Sequence, residues 1–309
     1  MTATLERLRE KVHSVEEMQS VVTTMKTMAA VNIRQYEKAV ESLVEYNHTI
    51  EMGLQVALRH RPEEIKIAQR VLTGRLGAIV FGSDQGMVGQ FNQRVADYAY
   101  TVLRKGRLGE RPCTLLAVGR RAGFRLADAS LEPAAILAVP SSVAGITPMV
   151  QDLVVRIEAW RDEGIEQILL FYNTLTHGAS YRSSGLQILP VDLRWLRDLE
   201  GREWSQRGLP TYTLDWDSLF AALIRENFFV SLFRALAESL ASENASRLSS
   251  MQAAEKNIEE RLAQLNAHYH HLRQSSITEE LMDVVAGYEA LLQEPGGDFR
   301  VEDPNWDAC

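Results

Sequence analysis

The sequence predicts an α/β protein in which long N- and C-terminal helices form an antiparallel coiled coil, with an α/β domain inserted between them. Two observations carry this prediction. Apolar residues recur at heptad spacing in both terminal regions, and short apolar runs alternate with helical stretches in the middle. At 309 residues, 46% apolar and 24% charged, the chain has the size and composition of a globular protein with a substantial core.

The N-terminal coiled-coil helix is predicted over residues 1–60. From Thr4 to Leu58 there is no proline, and the only glycine is Gly53. Apolar or small residues mostly alternate in steps of three and four, which is typical of a coiled-coil seam roughly 80 Å long. The steps 12–15–18 and 25–29–33 predict local irregularities. The predicted seam comprises Leu5, Leu8, Val12, Val15, Met18, Val22, Met25, Ala29, Ile33, Tyr36, Val40, Leu43, Ile50, Leu54 and Ala57.

The C-terminal coiled-coil helix is predicted over residues 211–292. No proline occurs between Asp217 and Leu292. Heptad spacing links Leu248, Met251, Ile258, Leu262, Leu265, Tyr269 and Leu272, and after a shift near "QSSIT" it resumes at Leu281, Val284, Tyr288 and Leu291. Two long helices at opposite ends of one chain pair most simply with each other, in antiparallel orientation. Residues 293–309 are predicted as an extended acidic tail.

The middle of the chain, residues 70–200, is predicted as a Rossmann-like α/β domain. Buried strands are predicted at 76–82, 112–119, 134–140 and 166–173, and helices at about 88–107, 120–127 and 147–163. This alternation is typical of a small parallel sheet. Residues 180–190 add an antiparallel edge strand that ends at Pro190, and residues 191–210 form a connection to the last helix.

The segment "GSDQGMVGQFN" after the first strand raises the possibility of a phosphate-binding loop. Gly82, Gly86 and Gly89 lie in it, but no Lys or Arg occurs before Arg94, and Asp84 would repel a phosphate. We therefore predict a tight strand-to-helix turn, in which the glycines supply positive φ angles and close packing.

Other candidate sites are weaker. His268 and His271 of "HYHH" are predicted to lie on a solvated helix face, and Cys113 is predicted to be a packed thiol. The sequence thus assigns no catalytic, cofactor-binding or metal-binding residue. A net charge of −8 argues mildly against a nucleic-acid partner.

Three segments resemble the gamma subunits of F-type ATP synthases, in the same order along the chain. These are "KVHSVEEMQSVVTTMKTMAAVNIRQ" near the N-terminus, "SDQGMVGQFNQ" in the middle and "SLASENASRLSSMQAAEKN…YHHLRQSSITEELMDVVAGYEAL" near the C-terminus. Within the last segment "RQSSITEEL" at 273–281 is the strongest single match, and the resemblance covers residues 5 to 292.

The resemblance implies a non-catalytic rotor subunit, present in one copy per complex. In that family the coiled coil is the central shaft inside a hexamer of alpha and beta subunits, and the α/β domain lies with the epsilon subunit on the c-ring. Ion-driven rotation of the ring is coupled through the shaft to ATP synthesis or hydrolysis at the beta subunits. Because the N-terminus lacks the features of a transit peptide or a secretory signal, we expect a peripheral protein on the cytoplasmic face of a bacterial inner membrane.

The resemblance also implies contacts with a beta subunit. Met25 matches a methionine that lies against the acidic lever loop, and Arg247 matches the arginine of a conserved family segment. Gln274, Thr278 and Glu280 match positions that hydrogen-bond to a beta-subunit loop, and we expect them to lie along one helix face within about two turns. The alternative for each polar residue is a solvated coiled-coil position.

Several departures from the family pattern suggest a divergent branch, such as the alternate bacterial ATPases. Ser20 and Thr23 stand where the family has positive charges. Gln85, Val88 and Gln90 replace an arginine, a cysteine and a glycine of the central segment.

Two other classes of protein remain open at the level of sequence. An independent nucleotide-dependent α/β enzyme with coiled-coil arms would need charged residues at the carboxyl ends of its strands, where only Asp84, Arg120 and Arg121 qualify. A coiled-coil adaptor unrelated to ATP synthesis would have no need of the polar "RQSSITEEL" segment.

Overall fold

The computed structural model describes residues 2–62, 74–104, 111–176, 180–204, 208 and 211–293. The helices are α1 (Thr2–Arg59), α2 (Phe91–Arg104), α3 (Arg120–Asp128), α4 (Ile146–Asp162), α5 (Leu193–Gly201) and α6 (Trp216–Gln293). The strands are β1 (Arg75–Phe81), β2 (Cys113–Val118), β3 (Ala135–Leu137), β4 (Ile165–Leu175) and β5 (Tyr181–Leu189). From residue 294 onward, the predicted tail lies outside the described residues.

The chain divides into two compact units, of which one is Thr23–Ala253 and the other combines the segments before and after it. Helices α1 and α6 each contribute residues to both units. Within the described ranges, no helix has the length and apolar character needed to cross a membrane.

Helix α1 has a more regular seam than the sequence predicts. Met18, predicted in the seam, is 55% exposed, and the neighbouring Gln19 is half-buried instead. Steps of three and four continue without interruption through Gln19, Lys26 and Asn47, all of which are half-buried. The predicted irregularities are therefore wrong, because the aliphatic parts of polar side chains occupy the seam where apolar residues are missing.

Helices α1 and α6 are antiparallel in the unit Thr23–Ala253. The indole Nε1 of Trp216 donates to the carbonyl oxygen of Ala57 at 2.6 Å, and the Tyr46 hydroxyl donates to Glu226 at 2.7 Å. Further along both helices, Asn32 Nδ2 donates to Asn244 Oδ1 at 3.4 Å. Across these three contacts the residue numbers rise along α6 while they fall along α1, which confirms the predicted antiparallel orientation.

The C-terminal end of α6 departs from the prediction. The seam continues through Leu265, Leu272 and Ser276, and one groove is lined by Leu265 and Leu272 together with Thr4 and Leu8 of α1. Beyond Ser276 three apolar positions predicted for the seam are exposed, namely Leu281 (60%), Val284 (72%) and Tyr288 (64%), while the side chain of Leu291 lies outside the described residues. Helix α1 has 58 residues and α6 has 78, so α6 is too long to be paired with α1 over its whole length.

The five strands form one sheet in the order β3-β2-β1-β4-β5. Strands β1 to β4 are parallel, and β5 is an antiparallel edge strand next to β4, as predicted. Because alternate residues of a strand face opposite sides, Ile79 shares a core with Leu153 of α4 and Leu232 of α6, whereas Val80 packs with Val95 of α2.

A short helix, α5, lies where the sequence predicted only a connection. The Asp192 carboxylate caps its first turn by accepting a hydrogen bond from the backbone N–H of Arg194 at 2.8 Å. Leu196 and Leu199 of α5 are buried in a cluster with Leu54 and Leu58 of α1. Tertiary packing thus supports a nine-residue helix that is too short to show a clear periodic pattern.

Candidate partner surfaces and the turn after the first strand

The segment between β1 and α2 is the tight turn that the sequence predicted. Gly89 has a φ of 53° and Met87 a φ of 59°. A Cβ atom on Gly82 would lie 2.2 Å from the Ala122 Cβ and 2.7 Å from Asn92 Oδ1. Glycine is therefore required at position 82 because β1 and α3 approach each other too closely for a side chain.

Asp84 provides an anion from the chain itself at the carboxyl edge of the sheet. Its Oδ1 accepts from the backbone N–H of Arg120 at 2.9 Å, and its Oδ2 accepts from the N–H of Val139 at 2.7 Å. The Arg120 guanidinium lies 3.6 Å from the same carboxylate. A helix N-terminus such as that of α3 is where α/β folds often bind a phosphate, and here a carboxylate accepts from its first N–H group.

Arg247 lies inside the chain. Its guanidinium donates to Glu243 Oε1 at 2.6 Å, and the two residues are only 8% and 6% exposed. Burial raises the pKa of the Glu243 carboxyl above its ordinary value, and the positive charge of Arg247 opposes this rise. The placement favours a role within the fold over the direct contact with a beta subunit that the resemblance implied.

Met25 lies at the edge of a small apolar surface on α1. Its side chain is half-buried, and Met28 and Val31, which follow on the helix, are 60% and 50% exposed. Sequence analysis did not single out Met28, although its position three residues after Met25 places both methionines on neighbouring parts of one face.

Gln274 and Thr278 share an exposed groove on α6. The Thr278 hydroxyl donates to the carbonyl oxygen of Gln274 at 2.9 Å, and the groove is also lined by Ser275 and Met282. Glu280 is exposed too, but six residues of helix place it about 120° around the axis from Gln274. The expectation that all three residues share one face is therefore wrong for Glu280.

The groove is surrounded by exposed apolar side chains. These include Ile277 (53%), Leu281 (60%), Met282 (60%) and Val284 (72%). A group of exposed apolar residues beside a polar groove is typical of a surface for a protein partner. The sequence analysis did not predict this surface, because the heptad spacing assigned Leu281 and Val284 to the internal seam.

These features define a class of protein in which two long paired helices carry an α/β domain, and in which the exposed apolar surfaces suit protein partners. The chain belongs to the ATP synthase family, whose match spans residues 4–291. It is similar to curated relatives named ATP synthase gamma chain, so the resemblance predicted from the sequence is confirmed. The relative from Granulibacter bethesdensis is 27% identical and the match covers 94% of this chain and all of the relative; the one from Buchnera aphidicola is 24% identical and the match covers 94% and 99%.

Solved structures confirm the fold. A chain of the mitochondrial ATP synthase of Euglena gracilis, determined with OSCP, F1 and c-ring, matches with a TM-score of 0.62 at 16% identity, over 99% of this chain and 100% of that chain. A chain from the central stalk and c-ring of the Tetrahymena thermophila enzyme matches with a TM-score of 0.52 at 17% identity, over 76% and 99%.

Proposed function

We propose that this chain is the central-stalk rotor of a rotary ATP synthase, coupling ion-driven rotation of a c-ring to ATP synthesis or hydrolysis in a hexamer of alpha and beta subunits. The observation that carries the proposal is the family match over residues 4–291, combined with the antiparallel pairing of α1 and α6. Paired helices suit this task because they resist twisting better than a single helix of the same length.

The partners follow from the solved assemblies that contain similar chains. The Euglena gracilis and Tetrahymena thermophila structures include a c-ring, and the former also includes F1. By this likeness, the present chain binds the hexamer of alpha and beta subunits and a c-ring. The family resemblance adds an epsilon subunit and one copy of the chain per complex. The chain would bind these partners as a peripheral protein on the cytoplasmic face of a bacterial inner membrane.

A non-catalytic role is supported by the carboxyl edge of the sheet. Asp84 places a negative charge at the start of α3 and takes up the N–H groups of Arg120 and Val139. A nucleotide phosphate at this edge would meet that carboxylate at short range and would have to displace it. This arrangement supports a subunit that does not itself bind ATP at this edge of the sheet.

Gln274 and Thr278 are the residues we assign to the beta-subunit contact on α6, and Met25 with Met28 to the contact on α1. All four are half-buried or exposed in this chain, and each pair lies beside exposed apolar side chains. Arg247 and Glu280 are less suited to these two surfaces, the first by burial and the second by its position around the helix.

Affinity purification of the tagged full-length chain from its own cells tests the proposal. We expect alpha and beta subunits to co-purify, and the isolated chain to show no ATP affinity by calorimetry. A chain that is recovered without these subunits would contradict the rotor assignment. Micromolar ATP binding that is abolished by Gly86→Val would instead support the nucleotide-dependent enzyme.

A further inference from the structure

One segment of α6, residues Ser242–Arg247, is buried on all sides although it is mostly polar. Its polar members are Ser242 (0% exposed), Glu243 (6%), Asn244 (4%), Ser246 (6%) and Arg247 (8%). A helix surrounded by protein is normally apolar on every face, because each buried polar group needs a hydrogen-bond partner. We refer to Ser242–Arg247 as the buried polar segment.

One face of the buried polar segment is bonded to the α/β domain. The Ser242 hydroxyl lies 3.0 Å from the carbonyl oxygen of Asn173 in β4 and 2.8 Å from that of Glu238 one turn earlier, and it shares its one proton between these two acceptors. The Ser246 hydroxyl donates to the carbonyl oxygen of Val88, in the turn after β1, at 2.6 Å. Since these serines are four residues apart, they form one stripe along the helix.

The acceptors of these two hydrogen bonds are themselves firmly connected. Asn173 Nδ2 donates to the carbonyl oxygen of Phe91 at 3.1 Å, and the Ser183 hydroxyl donates to Asn173 Oδ1 at 2.7 Å. The backbone N–H of Phe91 donates in turn to the carbonyl oxygen of Val88 at 3.1 Å. Residues from β4, β5 and the start of α2 thus form one hydrogen-bonded cluster, and the two serines attach α6 to it.

Another face of the segment is bonded to α1 and to itself. Asn244 Oδ1 accepts from Asn32 Nδ2 of α1 at 3.4 Å and from Arg247 Nη1 at 3.4 Å. Arg247 Nη2 in turn donates to Glu243 at 2.6 Å. The segment therefore has specific polar partners on both elements that enclose it.

We propose that the buried polar segment is a register lock, which fixes α6 in rotation and in axial position against α1 and the sheet. An apolar seam alone tolerates a shift of one heptad, about 10 Å, because apolar residues then meet apolar residues again. The hydrogen bonds to Asn173, Val88 and Asn32 are made in one register only, and any shift would leave buried polar groups without partners.

For a rotor, such a lock makes the α/β domain and α6 turn together. This consequence rests on the proposed function, whereas the lock itself is a property of the isolated chain. Ser242 and Ser246 are accordingly positioning residues for torque transmission.

The test compares Ser242→Ala/Ser246→Ala with Ser249→Ala, a matched control at an exposed position of the same helix. In a background with both cysteines replaced by Ser, spin labels at Gln93 and Gln252 report the distance between α2 and α6. A second pair at Val44 and Ala222 reports the distance between α1 and α6. All four labelled positions are exposed.

We expect the double variant to broaden the Gln93–Gln252 distance distribution and to leave the Val44–Ala222 distribution narrow. Hydrogen exchange in residues 83–91 should accelerate by about two- to tenfold per lost hydrogen bond. Ser249→Ala should change neither measurement. If the double variant fails to fold, Ser246→Ala alone carries the same expectation for residues 83–91.

Unchanged distances and exchange rates in a folded double variant would overturn the lock. In the assembled complex, the double variant should lower the number of ions pumped per ATP hydrolysed, with Ser249→Ala at the wild-type value. A wild-type chain that does not assemble with alpha and beta subunits would overturn the proposed function and leave the spin-label result unaffected.

Discussion

Cys113 illustrates how local surroundings set the properties of a single residue. The sequence places it at the start of a buried strand, and we predicted a packed thiol, but the residue is exposed. Desolvation by the protein around it nevertheless raises the pKa of the thiol to about 11, with Arg104 and Arg111 acting in the opposite direction. Exposure alone therefore does not make this cysteine reactive, because the thiolate is the nucleophile.

We expect Cys113 to react slowly with iodoacetamide. A rise of the pKa from 9.0 to about 11 reduces the thiolate fraction at pH 8 roughly a hundredfold. The alkylation rate should fall by less than this, because a thiolate of higher pKa is a stronger nucleophile. The measurement uses a Cys309→Ser variant, so that Cys113 is the only thiol, with a short unstructured cysteine peptide as the reference. Alkylation as fast as that of the peptide would contradict the raised pKa.

The buried pair of Glu243 and Arg247 gives a prediction for stability. Arg247→Met leaves Glu243 buried without its partner, so we expect the free energy of unfolding to fall by about 3–5 kcal/mol at pH 8. The double variant Glu243→Gln/Arg247→Met should lose less, because no charge remains to be buried. Urea unfolding of both variants measures the difference, and equal losses would show that the charge is not the cause.

The sign of the pH dependence follows from the raised pKa of Glu243. The folded state holds the Glu243 carboxyl proton more tightly than the unfolded state does. The contribution of this protonated carboxyl to the free energy of unfolding is therefore fully present below the ordinary pKa of about 4.5, and it is lost as the pH rises through the raised pKa of the folded state. The destabilisation caused by Arg247→Met should therefore be smaller at pH 5 than at pH 8. The double variant, which has no carboxyl group at position 243, serves as the control.

At the scale of elements, β1 and α3 pack closely at Gly82, in the turn between β1 and α2. Gly82→Ala would place a methyl group 2.2 Å from the Ala122 Cβ, so β1 and α3 would have to separate, and we expect a loss of about 1–3 kcal/mol. Gly201→Ala is a matched control, since its added methyl would meet no atom within 4 Å, and it should change stability by less than about 1 kcal/mol. Thermal unfolding of the two variants tests this prediction, which similar losses for both would contradict.

The strands and the helices of the α/β domain were largely predictable, because apolar runs and turn residues are local signals. The seam of α1 was less predictable. Gln19, Lys26 and Asn47 occupy heptad positions in it, and a search for apolar residues alone does not find them. Helix α5 was missed because contacts with Leu54 and Leu58, distant in sequence, stabilise it. Asp84 was predicted to repel a phosphate, and this stays a prediction. Its two backbone partners, Arg120 at the start of α3 and Val139 after the end of β3, could not be assigned from the sequence.

On the scale of the whole molecule, the resemblance in three ordered segments was enough to predict the family. It could not separate residues that contact a partner from residues that hold the fold together. Arg247 and Gln274 both lie within matching segments, yet Arg247 is buried and Gln274 is exposed. The exposed end of α6 has the same limitation, because Leu281 and Val284 continue the heptad spacing although they are exposed in this chain.

The contact assigned to Gln274 and Thr278 can be tested in the assembled complex. If both side chains hydrogen-bond to a beta subunit, Gln274→Ala/Thr278→Ala should lower ATP turnover by about two- to tenfold per lost bond while the complex still assembles. Glu259→Ala, an exposed substitution elsewhere on α6, is the control and should leave turnover unchanged. Glu280→Ala then distinguishes two arrangements: because Glu280 lies about 120° from Gln274, a wild-type rate indicates contact through one face, and a reduced rate indicates a loop that surrounds the helix. Wild-type turnover in the double variant would show that Gln274 and Thr278 do not contribute to the contact with the beta subunit.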